Sequence, residues 1–274
     1  MISVITPCYN LIKENRVAWF EKMMRSVHEQ SYPDIEHIAI DDGSDDETME
    51  LLRRYQKNGW LNRIIQKNHV GIYHTMNQGL KTARGEYINI MNTDDYILDN
   101  NFFKESIVSL EKSGADFSHG DRIIKSPSGF PDAKKKGNEK TAFFRMPFRH
   151  QTMIVRKNIF DEIGLFDEKY KIASDYKWIL KMLLSGKRGI YIPKTFICSL
   201  AGGASSNRQG CIDEVSQIIY EAYGEKYGLS PEECRQIYLR KIRLPLLLKI
   251  LAAVQNNKIK RSLLYCYYLS FRRR

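Results

Sequence analysis

The chain has 274 residues, 43% of them hydrophobic, with 43 Lys and Arg against 32 Asp and Glu. That length and apolar content exclude global disorder and suit one large domain with an appended region. The net charge of +11 is uneven: eleven of the basic residues follow Glu233 and no acid does, so residues 1–233 carry 32 of each sign. A neutral body argues against a nucleic-acid binder. A basic tail with apolar stretches points first to an anionic membrane surface. The five cysteines (Cys8, Cys198, Cys211, Cys234, Cys266) include no CxxC pair. They argue against a disulfide framework or a structural zinc site and suit a reducing cytoplasm.

The opening "MISVITPCYN" has no basic leader and no long apolar run, so it reads as a strand and a turn rather than a signal peptide. Val17, Phe20, Met23, Met24 and Val27 recur at helical spacing within 14–30. "IEHIAI" (35–40) predicts a second strand. "SDDETMELLRRY" predicts a helix capped by Ser44 or Asp45. "NRIIQ", "IYHTMNQGLKTA" and "EYINIM" continue as strand, helix and strand. Strands alternating with helices imply βαβ units and a mostly parallel sheet, an α/β fold. Such sheets bind ligands beyond the carboxyl ends of their strands. Asp41, Asp42 and the stretch 92–95 fall at such ends.

Further along, "DFSHGDRII", "QTMIVR", "GIYIP" and "TFICSLAGG" predict strands, and "SDYKWILKMLLSG" predicts a helix closed by Gly186. "SPSGFPDAKKKGNEK" (126–140) reads as a mobile loop. Helical pattern resumes near residue 209. "LPLLLKILAAV" (244–254) and "SLLYCYYLSF" (262–271) are apolar, flanked by basic residues, and short of the ~20 residues a membrane span requires. They read either as interfacial helices on an anionic leaflet or as a helical pair packed on the body. The division expected is 1–208 as the main domain and 209–274 as a basic helical region.

Three clusters could carry chemistry. "DDGS" (41–44) offers carboxylates to the N–H of a base, with the Tyr9 ring of "TPCYN" available to stack; equally, it is a turn with an acidic helix start. "NTDD" (92–95) offers hard oxygen ligands to Mg²⁺ or Mn²⁺; equally, it is a strand-end turn. Asp175 opens an apolar-periodic helix, as a cap or as a general base. The chain lacks GxGxxG, a P-loop, GxSxG and HxxxH, which argues against dinucleotide-binding, P-loop, α/β-hydrolase and zinc-hydrolase readings.

Taken in order, "SVITPCYN", "IAIDDGSDDET", "GIYHTMNQGLKTARGEYINIMNTDD", "FRHQTMIVRKNIFDEIGLFDEKY" and "ASDYKWILK" resemble the inverting glycosyltransferases of family 2, over about residues 2–200. The resemblance implies a GT-A fold, Rossmann-like, with a C-terminal helical tail added. It implies sugar transfer from a nucleotide-diphosphate donor, a UDP-sugar favoured, with Mg²⁺ or Mn²⁺. Thr6 and Tyr9 match positions lining the nucleotide pocket, and Asp42 matches the acid that contacts the base. Ser44, Asn77, Asn92 and Thr93 are placed with them on the nucleotide-sugar side. "NTD" matches the DxD motif, with Asp94 as the metal ligand; Asn92 departs from the pattern at its first position. Asp95, His150 and Gln151 are supporting or acceptor-side residues. Asp175 matches the catalytic base, with Ser174 where many members carry Glu. His74 has no assigned role, and "LAGGASSN" stands where some members supply a further metal-ligand His. Segments 126–140 and 201–208 are candidates to cover a bound donor.

With the tail, the resemblance implies a polyprenyl-diphosphate-linked or other glycan acceptor in bacterial surface-polysaccharide assembly (O-antigen or capsule). The expected location is the cytoplasm, peripheral on the inner face of the plasma membrane. The competing readings are a nucleotidyltransferase and a non-catalytic sugar- or lipid-binding protein on the same scaffold.

Overall fold

The computed structural model describes residues 1–125, 132–203 and 206–271. The chain divides into two compact units. The first comprises Met1–Gly137, Phe148–Glu168 and Lys187–Ala201; the second comprises Asn138–Pro147, Lys169–Gly186 and Gly202 onward.

The first unit contains β1 (Ile2–Cys8), α1 (Val17–His28), β2 (Ile35–Asp41), α2 (Thr48–Lys57), β3 (Arg63–Gln66), α3 (Ile72–Thr82) and β4 (Tyr87–Ile90). It continues with β5 (Asp95–Ile97), α4 (Phe102–Ser113), β6 (Phe117–Lys125), β7 (Ala133–Lys135), β8 (Ile154–Arg156), α5 (Asn158–Ile163) and β9 (Gly189–Leu200). The strands form one sheet in the order β3-β2-β1-β4-β8-β6-β9-β5, with β7 added beside β6. β3, β2, β1 and β4 are parallel to one another, and the remainder is mixed. β1 lies between two neighbours and every one of its residues is buried, which is why its apolar run is continuous rather than alternating. Its polar side chains find partners: Ser3 donates to Glu36 at 2.6 Å, and Thr6 Oγ1 shares a 3.0 Å hydrogen bond with His37 Nε2. Burial holds His37 neutral by pushing its pKa down to about 3.

Four local expectations are corrected. The helix after "DDGS" starts at Thr48, not at a Ser44 or Asp45 cap, because Ser44 Oγ donates to Asp41 at 2.5 Å and Asp45 pairs with Lys13. "GIYIP" and "TFICSL" form one strand, β9, through Pro193. Its ladder with β6 shifts register between His119 and Asp121, whose partners are Tyr191 and Thr195, so Pro193 falls where no ladder N–H is required. Within "QTMIVR" only Ile154–Arg156 is strand, since residues 150–152 turn as a 3₁₀ helix. Ala133–Lys135 of the expected loop pairs with β6 as β7, whereas 126–131 lie outside the described residues.

The second unit holds α6 (Ser174–Leu184), α7 (Arg208–Ile219), α8 (Pro231–Tyr238), α9 (Leu244–Ala253) and α10 (Asn257–Phe271). Residues 138–147 are pinned through their carbonyls to α6, to α10 and to the turn of helix at Tyr220–Gly224. Tyr176 donates to Ala142 O at 2.9 Å, Ser262 donates to Lys140 O at 2.6 Å, and Tyr223 donates to Phe143 O. α8 has a full capping box, with Ser230 and Glu233 exchanging hydrogen bonds and Pro231 in the first turn. Among the described residues, no helix is long and apolar enough to cross a membrane.

Candidate functional site

The site in the first unit is assembled from the loops that leave β1, β2 and β4. The loop after β1 carries Asn10 and Asn15 at φ +45° and +52°, a conformation asparagine tolerates better than most residues. It is stitched to the loop after β2 by side-chain acceptors. Asn10 Oδ1 accepts the Asp45 N–H at 3.0 Å, Ser44 Oγ accepts the Asn10 N–H at 2.9 Å, and Asp46 Oδ2 accepts the N–H groups of Ile12 and Lys13. Asp46 and the Asp45–Lys13 pair therefore fasten the two loops together, while Asp41 holds Ser44 within its own loop.

Asp42 is buried, and both of its oxygens are engaged. Oδ1 accepts the Val70 N–H and Oδ2 accepts the Gly71 N–H, each at 3.1 Å, and His69 Nδ1 lies 2.9 Å from Oδ2. The His69 ring stacks on Tyr9 at 4.4 Å between centroids and 22° between planes. A carboxylate acceptor and an aromatic platform thus converge on one planar nitrogen heterocycle. Gly43 (φ +74°) permits the close approach of the chain at 67–69: a Cβ there would stand 2.7 Å from the His69 backbone nitrogen. Thr6, by contrast, directs its hydroxyl to His37 inside the core and is fully buried.

The turn after β4 presents Asn92, Thr93, Asp94 and Asp95. Asp94 Oδ2 lies 3.5 Å from Arg16 Nη1 of the β1 loop. Asp95 begins β5, a short strand that pairs with β9, and its side chain is buried. Burial first, and the adjacent Asp94 charge second, push the Asp95 carboxyl up to about 6. Two buried acceptors in this turn, Asn92 Oδ1 and Asp95 Oδ2, lack a hydrogen-bond partner among the described residues; so does Gln151 Oε1. The backbone beside Gln151 is held by Asn89, whose Nδ2 donates to the carbonyls of Gln151 and Met153 at 3.1 and 2.8 Å. His150 lies within electrostatic reach of Asp95 and favours its charged form. Among the described residues, no group of three or more His, Cys, Asp or Glu is placed to hold a metal. Orphaned hard oxygen acceptors beside the half-buried Asp94 carboxylate nevertheless fit Mg²⁺ or Mn²⁺, which take one or two carboxylates and complete their shell with water and substrate phosphates.

Asn77 and His74 project from α3 onto one loop. Asn77 Nδ2 donates to Phe166 O and Glu168 Oε1, Asn77 Oδ1 accepts the Phe166 N–H, and His74 Nδ1 lies 2.9 Å from Glu168 Oε2. The amide of Asn77 is thereby committed to the "GLFDE" loop, and His74 gains a structural role that its sequence position did not disclose.

Asp175 belongs to the second unit, in the first turn of α6, where it is buried and its Oδ1 accepts the Tyr176 N–H at 2.8 Å. The segment that leads into the helix is held from elsewhere. Ala173 stands at the N-cap position, and the Glu214 carboxylate of α7 accepts the N–H groups of Lys171, Ile172 and Ala173 at 2.8, 2.9 and 2.8 Å. This pins the segment that leads into the helix, the N-cap N–H of Ala173 included, and sets a negative charge near the helix's positive end. Glu221 adds ion pairs to Lys169 and Lys177 on either side of Asp175. Burial opposes its charge, but the hydrogen bonds from the two lysines prevail and hold its pKa down to about 2. Arg16, His69 and Glu214 carried no motif in the sequence; each is recognisable only from what it touches.

The sequence model described as "Glycosyl transferase family 2" matches residues 3–166. The chain belongs to that family. The "Uncharacterized glycosyltransferase EpsJ" of Bacillus subtilis (strain 168) is 26% identical, over 94% of this chain and 80% of the relative. A Haemophilus influenzae relative described as an uncharacterized glycosyltransferase is also 26% identical, over 98% and 86%. A "PGL/p-HBAD biosynthesis glycosyltransferase" of Mycobacterium tuberculosis (strain ATCC 25177 / H37Ra) is 24% identical over 66% of this chain and 69% of its own. Among solved structures, S. aureus TarS 1–349 in complex with UDP-GlcNAc superposes with a TM-score of 0.67 at 18% identity, covering 99% of this chain and 88% of that one. The mannosyltransferase PcManGT from Pyrobaculum calidifontis, in complex with GDP-Man and Mn²⁺, gives 0.62 at 17% identity, covering 98% and 86%. These likenesses establish the GT-A type of fold. The protein is thus a family 2 glycosyltransferase.

Proposed function

We propose that the enzyme transfers a sugar, with inversion, from a nucleotide-diphosphate donor to a hydroxyl of a glycan acceptor. The observation that carries this reading is the convergence of two features at the carboxyl ends of parallel strands: Asp42 and Tyr9 clasping one heterocycle, and orphaned acceptors beside Asp94. Asp42 and Tyr9 would take the base, and a uracil nucleotide is favoured by the UDP-GlcNAc held by the TarS neighbour. Thr6 and Ser44 support the loops around that base and Thr93 completes the donor side, while Asn77, its amide committed to Phe166 and Glu168, braces the loop beside α3.

Asp94, with Asp95 and Asn92, would hold Mg²⁺ or Mn²⁺, which when bound neutralises charge on the departing diphosphate. Asp175 acts as general base, removing the acceptor hydroxyl proton as that oxygen attacks the anomeric carbon and the bond to the nucleoside diphosphate breaks. His150 and Gln151 are assigned to the acceptor side. The acceptor we favour is lipid-linked, as in bacterial surface-polysaccharide synthesis, a reading consistent with the basic tail. The division into a transferase domain (1–208) and a helical region (209–274) is part of the same proposal.

Thermal unfolding with a panel of nucleoside diphosphates and their sugars, with and without Mn²⁺, tests this directly. A ligand that binds only the native state raises the melting temperature in step with its affinity. A Mn²⁺-dependent rise with one nucleotide, lost in Asp94→Ala, is expected. No rise with any donor would favour a non-catalytic scaffold. Asp175→Asn is expected to retain donor binding while losing turnover.

A further inference from the structure

The last two helices are apolar on two faces. Leu246, Leu247 and Ile250 of α9 and Ile259, Leu263 and Cys266 of α10 are buried, so one face of each helix is packed. The opposite faces are not polar. Leu244 and Leu248 are 56% and 57% exposed, and Leu264 and Tyr268 are 42% and 50% exposed. Each pair is spaced four residues apart, hence on one face of its own helix. Lys241, Arg243, Lys258 and Arg261 are exposed around them. An ordinary packed helix turns charged residues outward; leucine there calls for something to cover it.

We propose that the exposed faces of α9 and α10 dock on an anionic lipid surface. Charge decides the occupant. After Glu233 the chain has eleven basic residues and no acid. A two-fold contact between copies would set these like charges against one another, whereas an acidic headgroup layer complements them. Leucines would enter the acyl boundary, the Tyr268 ring would sit at headgroup depth, and Lys and Arg would remain at the phosphates. The inference stands apart from the sugar chemistry. It places the enzyme on the membrane even if its acceptor proves to be free in solution.

The test is flotation of the full chain with vesicles of 30% phosphatidylglycerol in phosphatidylcholine, and with phosphatidylcholine alone. Wild-type protein is expected to float with the anionic vesicles only and to be released by high salt. Leu244→Glu with Leu248→Glu should cut the bound fraction at least tenfold, and Lys241→Gln with Arg243→Gln should shift release to lower salt. Because all four side chains are exposed, melting curves of the variants should overlay the wild type. Equal flotation of the double-Glu variant overturns the proposal. So does failure of wild-type protein to float. A concentration-dependent dimer on size exclusion that Leu244→Glu dissociates would assign the face to a second copy and overturn it as well.

Discussion

His69 Nδ1 stands 2.9 Å from Asp42 Oδ2 while its ring lies flat on Tyr9. The imidazole thus uses both the acceptor and the platform through which a nucleobase would be read. A base that takes these contacts must first displace it. His69→Ala removes one stacking contact and one hydrogen bond from the competitor, each worth about 1 kcal/mol. Nucleotide affinity should therefore rise about 3- to 30-fold, measured by titration calorimetry with UDP, while Asp42→Ala weakens it. Loss of affinity in His69→Ala would mean that the ring stays and stacks on the base.

Gly43 and Gly59 form a matched pair. Both adopt positive φ, at +74° and +76°, but a Cβ on Gly43 would meet the His69 backbone nitrogen at 2.7 Å, whereas a Cβ on Gly59 has nothing within 4 Å. Gly59→Ala should cost only the left-handed backbone term, about 1 kcal/mol. Gly43→Ala should cost about 2–4 kcal/mol, because backbone must shift as well. It should also impair nucleotide binding, which Gly59→Ala leaves intact. Denaturant melts and the same calorimetric titration separate the two effects.

Glu214 holds three consecutive N–H groups ahead of Asp175. Glu214→Ala leaves those donors open and is expected to destabilise the protein by about 2–3 kcal/mol, as for charge-assisted bonds. It should lower turnover at least tenfold with donor affinity unchanged. Glu214→Gln, which retains one acceptor oxygen, should recover part of both. Unaltered turnover in Glu214→Ala would show that the start of α6 holds its shape without this carboxylate.

Glu221 supplies a pH dependence whose sign is fixed. Its folded-state pKa is depressed to about 2 by Lys169 and Lys177. Its stabilisation is therefore complete above the ordinary glutamate range near 4.3 and fades as pH falls toward 2. Because the side chain is 28% exposed, solvent screening reduces the benefit to about 1–2 kcal/mol. Glu221→Gln should lower the melting temperature at pH 7 and converge on wild type near pH 2–3. Parallel curves down to that range would contradict it.

The alternation of strand and helix through residue 90 was legible because each element has its own period and the turns between them are chemically marked. The placement of Tyr9, Asp42 and Asp94 just beyond strand ends was legible because acids and an aromatic follow the apolar runs. The β5–β9 pairing was hidden: three residues carry no period, and the pairing joins Asp95 to Ser199. Pro193 broke β9 in the sequence because the bulge that accommodates it depends on β6. Glu214 could not be read, since a carboxylate that holds a loop some forty residues away leaves no local pattern. Asp45 and Asp46 were visible as acids, but their work of tying two loops together depended on Ile12 and Lys13 arriving beside them.

The ladder between β5 and β9 has a consequence for how the chain is made. Asp95 pairs with a residue about one hundred positions downstream, so the strand that orders the acidic turn has no partner until some two hundred residues have left the ribosome. β1, β2, β3 and β4 need nothing beyond residue 90 to pair with one another. Local pairings form early and distant ones late. On a nascent chain the half-sheet bearing Tyr9 and Asp42 is thus the first to become native, and the turn bearing Asp94 and Asp95 is among the last. Vectorial synthesis separates the two halves of the candidate site in time, although fewer than one hundred residues separate them in sequence.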